Sequence, residues 1–283
     1  MTLRLAAEFV DQQLAAWTQP RPLVVGISGP QGSGKSYLAD HLLQHLAEKY
    51  PKLNCVGILI DDFYLTHSEQ QKVSVEAQDS GNFVLVGRGL PGTHDLPLAS
   101  RTMHDLIAGK PTKVPRYDKS AFCGEGDRFP EEDWQVVASP VNVIVFEGWF
   151  NGYRAINPAI FPAAYFLNDP SGVVQRSSMH HLESINAKLA DYEELWNLFD
   201  YSIILHTQEL DYVYRWRLQQ EAALIAKHGL GMSESAVLDF VRRYMPMYHL
   251  YYWRMCQTGV LKKGTNLYLL IDFNRSVVSK NII

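Results

Sequence analysis

The feature that most limits how this chain can fold is the junction of LVVGIS with GPQGSGKS, Leu23 to Ser36. The first half is short, apolar and β-branched, which predicts a buried parallel strand. The second half fits G-x-x-x-x-G-K-[ST] at Gly29, Gly34, Lys35 and Ser36. Next, KSYLADHLLQHLAEKY places Leu38, Leu42, Leu43 and Leu46 at helical spacing. A strand, a glycine loop and a helix in that order turn backbone N–H groups inward around phosphate oxygens, beside the positive end of the helix dipole. The expected phosphate-binding set is therefore Gly29, Pro30, Gln31, Gly32, Ser33, Gly34, Lys35, Ser36 and Tyr37. In it, Lys35 reaches the β- and γ-phosphates and the Ser36 hydroxyl ligates Mg²⁺.

Four more apolar runs extend the pattern. NCVGILI (Asn54 to Ile60) runs into DDFY, VNVIVFEG (Val141 to Gly148) ends in an acid, YSIILH spans Tyr201 to His206, and NLYLLID (Asn266 to Asp272) reads as a final strand. Before them, Leu5, Phe9, Leu14 and Trp17 mark an amphipathic helix that TQPRP breaks. ELDYVYRWRLQQEAALIAKHG predicts a helix stopped by Gly229 and Gly231, and Ser233 predicts the cap of the next one. Strands alternating with helices give an α/β fold, a mostly parallel sheet flanked by helices. Ligands in such sheets bind beyond the carboxyl ends of the strands. The glycine loop, Asp61 and Glu147 all fall at such ends. Either Asp61 or Asp62 can accept a proton or help hold a metal, and either can equally cap a turn. Glu147 can meet a metal or simply end a strand in solvent. Gly148 leaves room for a ligand to come close.

From about Leu65 to Ser139 the chain is polar, rich in Gly and Pro and weakly periodic, which predicts a long irregular functional segment. It holds GRGLPGTHD and PRYDKSAFCGEGDR, with Arg88, His94, Arg116, Lys119 and Arg128 as cations in a chain of net charge −4. These residues could line a pocket for a small anionic acceptor or form a solvated loop of mixed charge. Arg215 and Arg217 lie two apart on a helix, so at most one faces a phosphate; the alternative is pairing with Glu221 or Asp239. Tyr244, Tyr248, Tyr251 and Tyr252 read as packing residues. The acidic balance argues against a nucleic-acid or membrane surface. No run reaches the roughly 20 apolar residues of a membrane span. Cys55, Cys123 and Cys256 have neither disulfide nor zinc spacing, and the opening lacks the apolar core of a secretion signal, so a soluble cytoplasmic protein is expected.

Taken together, SGPQGSGKS, DDFYLT, GRGLPGTHD, RYDKSAFCGEGDR, FEGWFNGY, WRLQQE and RRYMP, in order from about Val24 to Tyr248, strongly resemble the plant-type D-glycerate 3-kinase family and its fungal relatives. More distantly, D-x-F-Y, R-G-x-P and E-G are similar to uridine kinases and bacterial-type pantothenate kinases. The resemblance implies one P-loop NTPase-fold domain over 1–283, with an N-terminal helix over 1–19, an acceptor-binding insertion over 62–140 and a lid with C-terminal helices over 208–256. It implies ATP and Mg²⁺, and transfer of the γ-phosphoryl group to a small hydroxylated acceptor, D-glycerate foremost. By position, Asp61 matches the family's base and Arg217 its lid arginine. Arg88, His94, Asp95, Tyr117, Asp118, Lys119 and Arg128 match its acceptor side. Ser36, Glu147 and Asp61 would hold the metal. A nucleoside acceptor would need an aromatic clamp, for which Phe63, Tyr64 and Tyr117 are available. Another alternative is a pantothenate-like alcohol, and a third is a regulatory protein that binds ATP and phosphorylates nothing. Purine contacts are expected near the turn from Asp272 to Arg275.

Overall fold

The computed structural model describes residues 1–167, 169, 171–228 and 231–283, with the side chains of 227 and 228 left aside. Its strands are β1 (Leu23–Ser28), β2 (Cys55–Leu59), β3 (Thr112–Val114), β4 (Tyr117–Asp118), β5 (Asp127–Arg128), β6 (Gln135–Val137), β7 (Val143–Gly148), β8 (Tyr201–Thr207), β9 (Asn266–Ile271) and β10 (Val277–Ile282). The longer helices are α1 (Thr2–Ala15), α2 (Lys35–Lys49), α3 (His67–Asp79), α4 (Leu96–Ile107), α5 (Phe161–Leu167), α6 (Met179–Asp191), α7 (Glu193–Trp196), α8 (Tyr212–His228) and α9 (Glu234–Arg242). A winding helical segment then runs from Met245 to Thr258.

Six strands form the central sheet in the order β10-β9-β8-β1-β7-β2. All neighbours are parallel except β10, which runs antiparallel to β9 at the edge. The sequence pattern explains the layering. Every residue of β1 and β7 is buried, as expected of a strand covered on both faces. Side chains along β1 alternate between two cores. Leu23, Val25 and Ile27 join α1 and α2 on one face, whereas Val24 joins the larger core under α4, α6 and the C-terminal helices. Tyr244, Tyr248, Tyr251 and Tyr252 are buried in that larger core, as read.

Two expectations need correction. The stretch from Leu65 to Ser139 is not irregular: it contains α3, α4 and two two-stranded ribbons, β3–β6 and β4–β5. Helix α3 escaped notice because its buried face is Gln70, Ser74 and Ala77, which leaves no apolar period. Thr66 and Glu69 nevertheless form a capping box, a signal present in THSE. Asp95 caps α4 and Pro97 lies in its first turn. Nor is Asn266 to Asp272 the last strand, because β10 follows it. With five of its six residues exposed, β10 has no buried run to announce it. Ser233 does cap α9, accepting the Ala236 N–H. Of the two glycines expected to stop α8, Gly229 lies outside the described residues.

Candidate active site

The phosphate loop is shaped by its backbone. Gly34 sits at φ 91, a left-handed conformation that costs a side-chain-bearing residue about 1–2 kcal/mol, and α2 starts at the next residue. Three elements distant in sequence hold the loop. The Tyr248 hydroxyl accepts the Gln31 N–H at 3.0 Å, Arg275 Nε donates to the Gly32 carbonyl at 2.7 Å, and Trp216 packs over Gly32. Arg275 lies in the turn expected near the purine, so that turn touches the loop itself. Within the loop the Ser33 hydroxyl is buried and has no hydrogen-bond partner, as fits a cradle made for an oxyanion. The Tyr37 ring is exposed and stacks on His41 at 3.8 Å.

Beside the loop, parallel pairing of β1 with β7 brings Glu147 level with Ile27. The Ser36 hydroxyl donates to Glu147 Oε2 at 2.9 Å, and Lys35 Nζ lies 3.7 Å from Oε1. Burial pushes the Glu147 carboxyl up against the pull of Lys35. A hydroxyl and a carboxylate meeting at the phosphate loop are hard oxygen donors, the chemistry Mg²⁺ takes alongside phosphate oxygens. The residues therefore fit that ion. The space at Gly148 belongs to the protein, not to a ligand. A Cβ there would meet Asn151 Oδ1 at 2.2 Å, and the Asn151 amide donates to the carbonyls of Ile27 and Phe146. Asn151 thus ties the ends of β1 and β7 together. Asn151 lies within FEGWFNGY, but sequence reasoning gave it no role.

Asp61 begins the second side of the site. It sits in a short 3-10 turn, Ile60–Phe63, just past β2. Lys119 Nζ donates to Oδ2 at 2.6 Å and the Tyr64 hydroxyl donates to Oδ1 at 2.9 Å. Burial alone would raise the Asp61 pKa, but the Lys119 ammonium overrides it, with smaller help from Lys35, and holds the carboxyl below its usual range. Asp62 faces elsewhere: it accepts the Tyr117 N–H at 3.2 Å, and burial beside the Asp61 charge pushes it up to about 6.

The other expected acceptor residues form a frame around this pair. Asp95 caps α4, accepting the Leu98 N–H at 3.0 Å, and its other oxygen lies 3.1 Å from Arg128 Nη1. Arg128 also donates to the Tyr64 carbonyl at 2.8 Å. His94 Nδ1 lies 2.8 Å from the Tyr192 hydroxyl and the ring stacks on Tyr64; burial pushes its pKa down to about 3, so it is neutral. Arg88 donates to backbone carbonyls of Lys119 and Gly124, over the Tyr117 ring. Among these residues, only Lys119 touches the Asp61 carboxylate directly. Arg217 is held away from it: the guanidinium pairs with Glu221 at 3.1 Å and lies over Phe240. Arg215 instead lies over Phe273. Tyr192 and Arg243, to which sequence reasoning gave no role, and Tyr248 and Arg275, which it read as packing and as part of the purine turn, act through contacts far along the chain.

The profile of the phosphoribulokinase / uridine kinase family matches residues 24–157. A probable ATP-dependent kinase of Saccharomyces cerevisiae is 38% identical over 286 residues, 96% of this chain and 93% of the relative. The chain belongs to the phosphoribulokinase / uridine kinase family. It is similar to the chloroplastic D-glycerate 3-kinase of Arabidopsis thaliana, at 37% identity over 261 residues, 89% of this chain and 53% of the plant protein. A solved D-glycerate 3-kinase from Cryptococcus neoformans matches with a TM-score of 0.90 at 36% identity, over 100% of this chain and 99% of that one. As a member of this family the chain is an ATP-dependent P-loop kinase that phosphorylates an alcohol. Among the described residues no helix is long and apolar enough to cross a membrane.

Proposed function

We propose that this kinase transfers the γ-phosphoryl group of ATP to a hydroxyl of D-glycerate. The observation that carries the reading is the Lys119 ammonium 2.6 Å from Asp61 Oδ2. An acceptor hydroxyl presented to Asp61 would then have a cation within reach of its own carboxylate. The alternative of a nucleoside needs open aromatic faces. Phe63 is fully buried, Tyr64 is covered by His94, and Tyr117 lies under Arg88, so the three rings are already taken up in packing. The similarity to two D-glycerate 3-kinases supports the same choice.

In this reading the amides of the phosphate loop and Lys35 hold the β- and γ-phosphates. Ser36 and Glu147, with Asp61 nearby, hold Mg²⁺, which would neutralise charge on the phosphates. Asp61, ionised because Lys119 and Tyr64 donate to it, accepts the proton of the acceptor hydroxyl as oxygen attacks phosphorus. Lys35 balances charge on the transferred group. Arg217 joins it by exchanging Glu221 for a phosphate oxygen as α8 closes. Most of the rate gain then comes from positioning and charge stabilisation. The test is ADP release with D-glycerate, uridine and pantothenate side by side. Turnover highest with D-glycerate supports the reading, and turnover confined to uridine or pantothenate overturns it.

A further inference from the structure

We propose that Arg243 is a positioning residue for the acceptor: it aims Arg88, and Arg88 latches a strained flap, residues 119–126, that carries Lys119 to Asp61. The link to the acceptor rests on the role given to Lys119 above.

The flap has little else to keep it in place. Residues 122–125 are exposed, so no apolar core holds them. Phe122 and Cys123 have φ 50 and φ 56, two consecutive side-chain-bearing residues in the left-handed region that disfavours them. A loop in that conformation persists only where its surroundings impose it. The fasteners are polar and few. His67 stacks on Phe122 at 3.8 Å and its Nε2 meets the Glu125 carboxylate at 2.7 Å. Gln71 donates to the same Glu125 carboxylate and Ser120 donates to Asp118, and among the described residues Arg88 alone reaches the flap backbone from outside, donating to the carbonyls of Lys119 at 3.2 Å, Gly124 at 2.8 Å and Glu125. There is no slack beneath it: a Cβ on Gly126 would lie 2.9 Å from Arg88 Nη1 and 2.5 Å from the Tyr117 ring. Among the described residues Arg88 has no carboxylate within ion-pair distance, so its donors serve the flap backbone.

Arg88 can do this only if its own backbone is fixed: Ser74 accepts the Gly87 N–H, Thr93 and Trp149 hold Gly89, and Arg243 takes the carbonyls on either side of Gly87. The Arg243 guanidinium donates to the carbonyls of Val86 and Arg88, straddling Gly87. The Tyr244 hydroxyl donates to the same Arg88 carbonyl at 3.3 Å. Arg243 is itself steadied by the rings of Phe240 and Tyr244 at 5.8 and 5.3 Å. It sits at the carboxyl end of α9, which packs on α8. A residue 155 positions from Arg88 in sequence therefore sets the Lys119 ammonium, through one intervening side chain.

The test combines hydrogen exchange with kinetics on the full chain. In Arg243→Ala, amides of residues 119–126 are expected to exchange roughly tenfold faster with no acceptor present, while those of β1 and β7 are unchanged. The KM for the acceptor is expected to rise about tenfold, with kcat and the KM for ATP within about twofold of wild type. Arg243→Lys, which keeps one charged donor, should recover part of both effects. Arg88→Met should reproduce the flap exchange, and adding Arg243→Ala to it should change little more, because one acts through the other. Unchanged flap exchange in the folded variants, a parallel rise in both KM values, or additive effects in the double variant would each overturn the proposal. The exchange readings need no acceptor, so they stand apart from the choice of D-glycerate.

Discussion

The phosphate side of the proposed site draws its residues from one stretch of chain, 29–37, and from Glu147 on the adjacent strand, whereas the proposed acceptor side assembles Asp61, Lys119, Arg88, His94, Asp95 and Arg128 from loops and short ribbons spread over some 68 positions. On the phosphate side the sheet does the positioning: β1 and β7 are buried throughout, and their register alone brings Glu147 to Ser36. On the acceptor side nearly every charged group is held by another: Asp95 by Arg128, Lys119 by Asp61, Arg88 by the flap carbonyls. The same backbone edge thus carries one half that is rigid by construction and one half that is rigid only while its fasteners are closed.

That contrast can be broken or sharpened by substitution. The largest effect is expected at the seam. Asp61→Asn should lower kcat by about 10²- to 10⁴-fold while ATP binding measured by calorimetry stays close to wild type. Loss of ATP binding would mean the two halves are not separable at Asp61. Next, Lys119→Ala should raise the acceptor KM about 10- to 100-fold with the KM for ATP unchanged. The same variant has a pH signature. In the native protein Asp61 is held below the usual carboxylate range, chiefly by Lys119 working against burial, so activity persists as pH falls until that depressed pKa is reached. Without Lys119 the carboxyl titrates higher, and the acid limb of kcat/KM should move to higher pH. A limb that stays in place would deny Asp61 the role of base.

Smaller effects separate frame from site. Asp95→Ala removes a helix cap and should cost about 1 kcal/mol, lowering Tm by roughly 2–4 °C. It should also raise the acceptor KM a few-fold because Arg128 is released, with the KM for ATP again the control. The smallest effect is expected on the phosphate side. Tyr37→Ala, which removes an exposed ring stacked on His41, should leave both KM values within about twofold. A large loss of ATP affinity would show that Tyr37 contacts nucleotide after all.

The same division governs what could be read in advance. The phosphate loop and Glu147 were legible because local rules place them: an apolar run makes a strand, a glycine pattern makes a loop, and strand ends face the ligand; local rules left Asp61 and Asp62 equal, and the resemblance chose Asp61. The acceptor residues could be named through family resemblance, but their roles could not. Nothing near Arg88 in sequence indicates that its partners are carbonyls at 119, 124 and 125, or that Arg243 sits behind it. Arg217 paired with Glu221 is the outcome the helix spacing had left open. Helix α3 was missed for a different reason. Its inner face is polar, so tertiary contacts and a capping box define it where periodicity does not. Gly148 misled in the opposite direction: a glycine at a strand tip suggested space for a ligand, and a buried asparagine from the following turn fills it.

The grip of Arg275 on the Gly32 carbonyl has a consequence for how the protein comes into being. The two residues are 243 positions apart. On the ribosome, the loop that meets nucleotide emerges 243 residues ahead of the side chain that steadies it. Nascent chains stalled short of residue 275 should capture ATP poorly, and those stalled well beyond it should capture ATP well. Competence to bind ATP would then wait on a side chain made long after the loop that it steadies.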